Sequence, residues 1–521
     1  MDTCDFKVNR ETFSASQTVL DTSFEQPVER DFVLPDYYPD IFRILKCTVI
    51  PKILSNSING GKLTVETTVL VRVLYLSENN CRVNCIEQKM NFSKTLELNS
   101  ACTNPFVCVN PKCDYINCRV VSQRRLDIRG AVTTAVKVTG EVLQPVVTDA
   151  FGCNIQLKKQ LVTYPAKRLN VSKRITVIEE LELSASKPAV GSILRSDCEV
   201  SPQDTKIIAG KMITKGDAEI SMLYSCVTTE GEDTVETMKF TVPFSQIIDV
   251  EGIDETCQAD LDISVGGCEI IPKGEDSTSL ECEIIIIVNC VAVKYETCEI
   301  VSDAYSTCYE CETSACGTKL ETAPAKVDES LSQSCTISRS DENIGCVYDS
   351  WANVENVSSR FDEDKNCFVV SGNVKYCVMG RYESKTPFLL ETENPFEQCI
   401  ALPDSYENSH SALYEPRVRT ANCSYYLADA NSIELKAEIK IGGIIRQQCA
   451  KQLISEIKVK TDCVKQKQDC YALKLCYCRK NDDIWEIAKR YSTSITAIME
   501  ENELDDDKVT EQGMLLIPLM N

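Results

Sequence analysis

Thirty cysteines and a single histidine set the chemistry open to this chain. A Ser, Cys or Thr nucleophile needs a base within hydrogen-bond reach. The only imidazole is His410, in the loop-like stretch SYENSHSALYEP, where no flanking pattern marks a Cys–His or Ser–His pair; it reads as a surface histidine. Carboxylate pairs are too plentiful in an acidic chain to carry information. The sequence holds no phosphate-binding Walker A pattern, no G-x-G-x-x-G after a strand and no H-E-x-x-H. The expectation is therefore no enzyme and no cofactor. The cysteines have three readings. At apolar strand positions such as Cys226, Cys282, Cys290 and Cys377 a thiol behaves as a small hydrophobe. Cys308 and Cys311, with Cys316 as a third ligand, are the one candidate metal set. Zinc prefers four ligands, no second C-x-x-C pairs with the first, and the expectation for a metal is none. Exposed thiols of neighbouring molecules are also able to cross-link under later oxidation.

Candidate binding residues lie near the C-terminal end. Ile484, Ile487, Ala488 and Tyr491 fall at i, i+3, i+4 and i+7, the spacing of one buried helix face. Asp483 and Glu486 form a capping box at its start. A second helix begins after Ser494, with Ile495, Ile498 and Met499 on one face. Short apolar runs, Leu473 to Cys478 and Met514 to Ile517, bracket the pair, so the expected module is β-α-α-β. In Asn481-Asp482-Asp483-Ile484-Trp485-Glu486-Ile487-Ala488, in Asn502 and in Leu515-Leu516-Ile517-Pro518, it resembles the LysM family. The resemblance implies a ligand groove between the two loops, which maps to Asn481, Asp482, Asp483 and Ile484 on one side and to Met499, Asn502, Glu503 and Leu504 on the other. It also implies an N-acetylglucosamine-containing glycan or, in some members, a protein as ligand. Asn481 stands where the family has Gly and Asp483 where it has Thr. Glu500, Glu501, Glu503, Asp505, Asp506 and Asp507 line the far side. Such a field steers a basic protein face and does little for a neutral glycan, unless it is simply a solvated surface.

Most of the remaining chain is an internal repeat. LPDYYPDIFRILK, KLTVETTVLVRVLYL and NFSKTLEL recur as SASKPAVGSILR, KMITKGDAEISMLY and PFSQIIDV, and Pro39 to Tyr75 and Pro188 to Tyr224 both span 36 positions. A third, more worn copy has CFVVSGNVKYCVM and NPFEQCIAL. Leu126, Leu280 and Ile433 open the closing strand of each copy. Leu63, Val65, Thr67, Val69, Val71 and Val73 alternate with Thr64, Glu66, Thr68 and Arg72, the period of a half-buried strand. Asn59-Gly60-Gly61, Glu230-Gly231 and Ser371-Gly372 read as turns, and the Pro-Asp-Ile-Phe-Arg-Ile-Leu segment as one or two helical turns with Pro39 in the first. The fold class expected is mainly β: three repeated antiparallel β domains followed by a small βααβ domain. Their bounds are 1–158, 159–315, a linker at 316–335, 336–465 and 473–521. The repeated pattern resembles the SPOCS domain of spore-forming Firmicutes. Three such copies with a C-terminal LysM module resemble the SipL-like family of spore coat morphogenetic proteins. That resemblance implies a non-enzymatic adaptor in the mother-cell cytoplasm, at the forespore surface and spore coat. Its LysM module would dock a coat morphogenetic protein, the SpoIVA-type ATPase of the coat basement; the alternative is a peptidoglycan-binding protein of the cell wall or cortex.

A net charge of −23, from 78 acidic against 55 basic residues, argues against nucleic acid and against an anionic membrane surface. Basic clusters at Arg124, Arg125 and Arg129 and at Lys158, Lys159, Lys167 and Arg168 read as solvent-facing rows. MDTCDFKVNRETFSASQ has no apolar core of a signal peptide, and no run approaches the ~18 apolar residues of a membrane span. The expectation is a protein kept in the cytoplasm with no membrane insertion and mostly free thiols.

Overall fold

In a computed structural model, residues 5–77, 82–100, 103–227, 231, 233–274, 277–338, 342–403, 406, 411–465, 472–509 and 511–519 are described. The first copy contains β1 (Lys7–Val33), β2 (Ile41–Asn59), β3 (Lys62–Ser77), β4 (Val83–Glu97), β5 (Thr103–Ser122) and β6 (Arg125–Phe151). They make two antiparallel sheets, β2-β3-β4 and β1-β6-β5. The period-2 face of β3 buries Val69, Val71, Val73 and Tyr75 against Leu126 and Ile128 of β6. The alternation in the sequence is thus the inner face of a sandwich.

The second copy repeats this topology with β7 (Ile155–Glu182), β8 (Ser192–Ile208), β9 (Lys211–Val227), β10 (Asp233–Asp249), β11 (Gln258–Lys273) and β12 (Ser279–Ser306), paired as β10-β9-β8 and β11-β12-β7. In the third, β15 (Ile344–Asp362), β16 (Cys367–Tyr382) and β17 (Pro387–Ala401) form one sheet. In the other, β20 (Ser432–Val464) is flanked by β13 (Tyr309–Glu321) and β14 (Ala325–Ser338) on one side and by β18 (Ala412–Tyr414) and β19 (Arg417–Asp429) on the other. Leu126, Leu280 and Ile433 occupy equivalent places and are fully buried. The shared 36-residue spacing has a physical cause: Tyr75 Oη donates to Pro39 O and Tyr224 Oη to Pro188 O, each at 3.1 Å. A buried phenol thus ties the repeated proline segment to the central strand.

Three local expectations are corrected. The Pro39 segment is a turn, with Tyr38 N donating to Pro35 O, and β2 starts at Ile41. Arg124 takes the carbonyls of Leu34, Pro35 and Tyr38, which a helix would have needed. Residues 316–335, expected as a linker, lie mostly in β13 and β14, which pair with β20; most of their polar residues form the exposed row of these strands, while Glu321 is buried. Ser371-Gly372 is no turn and lies inside β16, where a Cβ on Gly372 would come 2.8 Å from the Phe396 ring.

In each copy the closing strand outruns its sandwich. Beyond Glu141, Val293 and Gln447 only one neighbour remains, so β1/β6, β7/β12 and β13/β20 continue as two-stranded ribbons. The ribbons pack on one another through Phe13, Val146, Val162, Ile300, Leu320 and Leu453, and farther out through Val147, Ala150, Val301, Ala304, Ile454 and Ile457. Every copy contributes to each layer. At the opposite side the sandwiches meet through Leu74, Leu76, Leu194, Leu223, Trp351 and Met379. This shared packing explains why Arg72, expected in the solvent row, is only 5 % exposed. Arg72 bonds Glu87 of its own copy and Asp197 of the second.

Candidate functional site

The C-terminal module has the expected order: β21 (Leu473–Cys478), α1 (Ile484–Tyr491), α2 (Ile495–Glu501) and β22 (Gly513–Pro518), with β21 and β22 antiparallel. Asp483 caps α1 by accepting from Trp485 N at 2.8 Å, and Ser494 caps α2 by accepting from Ala497 N at 3.2 Å. Ile484, Ile487, Ala488 and Ile498 form the core with Cys476, Cys478, Leu515 and Ile517, while Tyr491, Ile495 and Met499 pack beside it. Trp485, one position off the expected stripe, is also buried, at 2 % exposed. Its burial comes from outside the module.

The first side of the expected groove is fixed by backbone bonds to the stretch that follows the second side. Asn481 N donates to Val509 O, Val509 N to Asp482 O and Ile484 N to Asp507 O, at 2.8 to 3.0 Å. Asn481 takes a left-handed φ of 69°, which explains why glycine suits this place and why Asn is a fair substitute. The eight expected residues do not share one role. Ile484 is fully buried, and Met499 and Leu504 pack half-buried on the core. Asn502 is spent on structure, bonding Ile498 O, Leu516 O and Leu516 N at 2.7 Å. Asp482 accepts from Arg479 N. Asn481, Glu503 and the acidic residues Glu500, Glu501, Asp505, Asp506 and Asp507 are exposed.

Asp483 reaches outside the module. Its Oδ2 accepts from Lys158 Nζ of β7 at 2.6 Å, a bond that raises the lysine's pKa. Asp303 of β12 lies alongside. Its Oδ2 accepts both from Trp485 Nε1, at 2.7 Å, and from Lys489 Nζ, at 2.6 Å. Burial works to raise the Asp303 pKa, but these hydrogen bonds outweigh it and hold the carboxyl below its ordinary 3.8. Tyr305 meets the Trp485 indole edge to face at 4.9 Å and donates its hydroxyl to Thr493 O at 2.7 Å. Lys465, just past β20, bonds Ser306 O and Ser492 Oγ. The second ribbon thus carries the α1 face of the module.

Sequence reasoning does not find this contact. Lys158 reads there as part of a solvent row, and Asp303, Tyr305 and Lys489 stand outside the candidate residues. A signal is nonetheless present: Val-Val-Thr-Asp-Ala-Phe at 146–151 recurs as Ile-Val-Ser-Asp-Ala-Tyr at 300–305, the same 154 positions apart as Leu126 and Leu280. The other basic residues of that cluster are likewise engaged: Lys159 with Asp149, Lys167 with Gly252 O, and Arg168 with Glu321 across the second and third copies.

Cys308, Cys311 and Cys316 are not brought together. Cys311 and Cys316 stand five positions apart on β13 and so face opposite sides, while Cys308 accepts from Asn154 Nδ2 at 3.1 Å. Among the described residues no group of three or more His, Cys, Asp or Glu is arranged to hold a metal, and no described cysteine is in a disulfide. His410 lies outside the described residues. No helix among the described residues is long and apolar enough to cross a membrane.

No curated protein and no solved structure matches the chain. Residues 40–121 and 189–271 match the family model of the SipL SPOCS domain, taking in β2 to β5 and most of β8 to β11, and residues 479–518 match the LysM domain.

Proposed function

We propose that this protein is a non-enzymatic adaptor in sporulation, a scaffold of three like β domains whose LysM module docks a coat-basement ATPase of the SpoIVA type at the forespore surface. The matched families are binding or non-catalytic domain types, and they suggest a sporulation-related protein able to bind peptidoglycan. What supports protein over glycan as the finer ligand is one observation. The module's rim already recognises protein, with Asp483 on Lys158 and Trp485 and Lys489 on Asp303. Beside that contact Asp505, Asp506 and Asp507 remain exposed and project a negative field. The third copy repeats the topology of the two matched ones, which supports reading it as a third SPOCS-like domain.

The test is binding of the full chain to the purified ATPase, measured as association and dissociation rates. Reversing Asp505, Asp506 and Asp507 to Lys should slow association about tenfold at low salt and flatten its salt dependence. Retention on purified peptidoglycan with no ATPase binding would overturn the choice. The peptidoglycan reading has its own support in the LysM match, and co-sedimentation of the full chain with insoluble glycan measures it directly.

A further inference from the structure

The seat of the module on the second ribbon is built from a motif that the first ribbon also carries. In Ile300 to Tyr305, Val301 and Ala304 face the packed interior while Asp303 and Tyr305 meet the module. In Val146 to Phe151, Val147 and Ala150 are buried in the same layer. A β-bulge interrupts the register at the same place in both, at Thr148 between Val147↔Arg10 and Asp149↔Asn9, and at Ser302 between Val301↔Lys159 and Asp303↔Lys158. A bulge re-aims the side chains that follow it. Both aspartates use Oδ1 alike, accepting from the next backbone N–H: Ala150 N at 3.0 Å and Ala304 N at 2.8 Å. Their Oδ2 atoms are presented alike as a result. In the third ribbon the motif has lapsed to Leu453-Ile454-Ser455-Glu456-Ile457-Lys458.

The two seats differ in what fills them. Tyr305 is 3 % exposed under the module, whereas Phe151, its counterpart, is 52 % exposed. Lys159 of the adjoining second ribbon sits on Asp149 Oδ2 at 3.1 Å, where Lys489 sits on Asp303. The position of Lys159 corresponds in the third ribbon to Ala315, opposite Ile454, which offers Asp303 no cation. Among the described residues, the first seat therefore has an exposed aromatic platform and a carboxylate partly satisfied by Lys159, with no indole N–H on it.

We propose that the tip of the first ribbon, centred on Asp149 and Phe151, is a second seat for a LysM module, and that its occupant is the module of a second copy of this chain. The module offers matched groups, the Trp485 indole for Phe151 and for Asp149 Oδ2. The chain has one such module and two seats. Lys465, bonded to Cys308 O, Ser306 O and Ser492 Oγ, holds the chain's own module beside the second seat. Exchange of modules between copies would join chains head to tail, an open contact of the kind that builds extended assemblies. Because Lys159 competes with the incoming Lys489 for one oxygen, the contact is weak until Lys159 is removed.

The experiment is sedimentation velocity of the full chain over a wide concentration range. Asp303→Ala, which removes the oxygen that accepts from both Trp485 Nε1 and Lys489 Nζ in the own seat, is expected to self-associate at concentrations where the unaltered chain is monomeric. Adding Phe151→Ser should weaken that association about tenfold or more, and adding Lys159→Ala should strengthen it. Asp303→Asn keeps the side-chain shape and should act in the same direction if the Ala variant loses its strand circular dichroism. Monomers at all concentrations in the released variants would overturn the proposal, even if Trp485 fluorescence showed the module moving to its own first seat. Association indifferent to Phe151→Ser would overturn it too, by placing the contact elsewhere.

Discussion

Asn502 donates its amide to Ile498 O and Leu516 O and accepts from Leu516 N, so one side chain clamps the end of α2 to β22. It is legible in the sequence as a residue of the module and misleading as a ligand for a partner, because type and spacing do not reveal how many of its hydrogen bonds are already made. Asn502→Ala should destabilise the module by about 2–3 kcal/mol, since three bonds go and the strand and helix groups are left unpaired. Thermal melting followed by Trp485 fluorescence checks this, and an unchanged midpoint would show that the clamp contributes nothing. Asp483 has the opposite history. Its capping role follows from local sequence, whereas its bond to Lys158, 325 positions away, does not.

At the level of elements, a glycine facing a phenylalanine recurs across the strand pairs. Gly216 lies opposite Phe244 and Gly372 opposite Phe396, and a Cβ on either would come 2.8 Å from the facing ring. The rings cover the bare backbone, so a residue type that reads as a turn is held inside a long strand. Gly372→Ala should cost about 1–3 kcal/mol by overpacking. Combining it with Phe396→Leu should recover part of that loss, as measured by chemical denaturation of both variants. If Gly372→Ala cost as much in the Phe396→Leu background as in the unaltered chain, the ring would not be the obstacle. Elements whose period is unbroken, such as β3 and the two helices, are readable because burial of one face alone decides them.

On the scale of the whole molecule, the three sandwiches line a solvent-open cavity of about 1020 Å³ with residues of every copy, among them Lys46, Arg72, Arg195, Glu199, Asp349 and Thr420. Arg195 crosses from the second copy to Asp349 of the third at 2.6 Å and lies 4.1 Å over Trp351. Glu199 also lines this cavity. Burial is the largest cause that pushes its pKa up to about 7, with Asp197 and Glu219 adding to it and Arg419 and Arg195 opposing. A carboxyl whose folded pKa lies above its ordinary 4.5 favours folding most when protonated. Its contribution is complete below about pH 4.5, falls as pH rises to about 7, and is gone above. Glu199→Gln should therefore raise the melting temperature at pH 8 and leave it nearly unchanged at pH 4.5. Equal melting of the two proteins at pH 8 would contradict the strained carboxylate.

The sequence by itself determined the β class, the three-fold repetition and the βααβ module, because each rests on local periodicity, turn and cap chemistry, or self-similarity along the chain. Even the 36-residue spacing is visible without its cause, a tyrosine hydroxyl on a proline-segment carbonyl. Tertiary structure alone decided that 316–335 forms strands, that Lys158, Lys159 and Arg168 are spent on contacts between parts of the chain, and that the module rests on Asp303 and Tyr305. The reason is physical. A ribbon's outer row and a solvent-facing row have the same alternation, and only the arrival of a partner from hundreds of positions away turns one into the other.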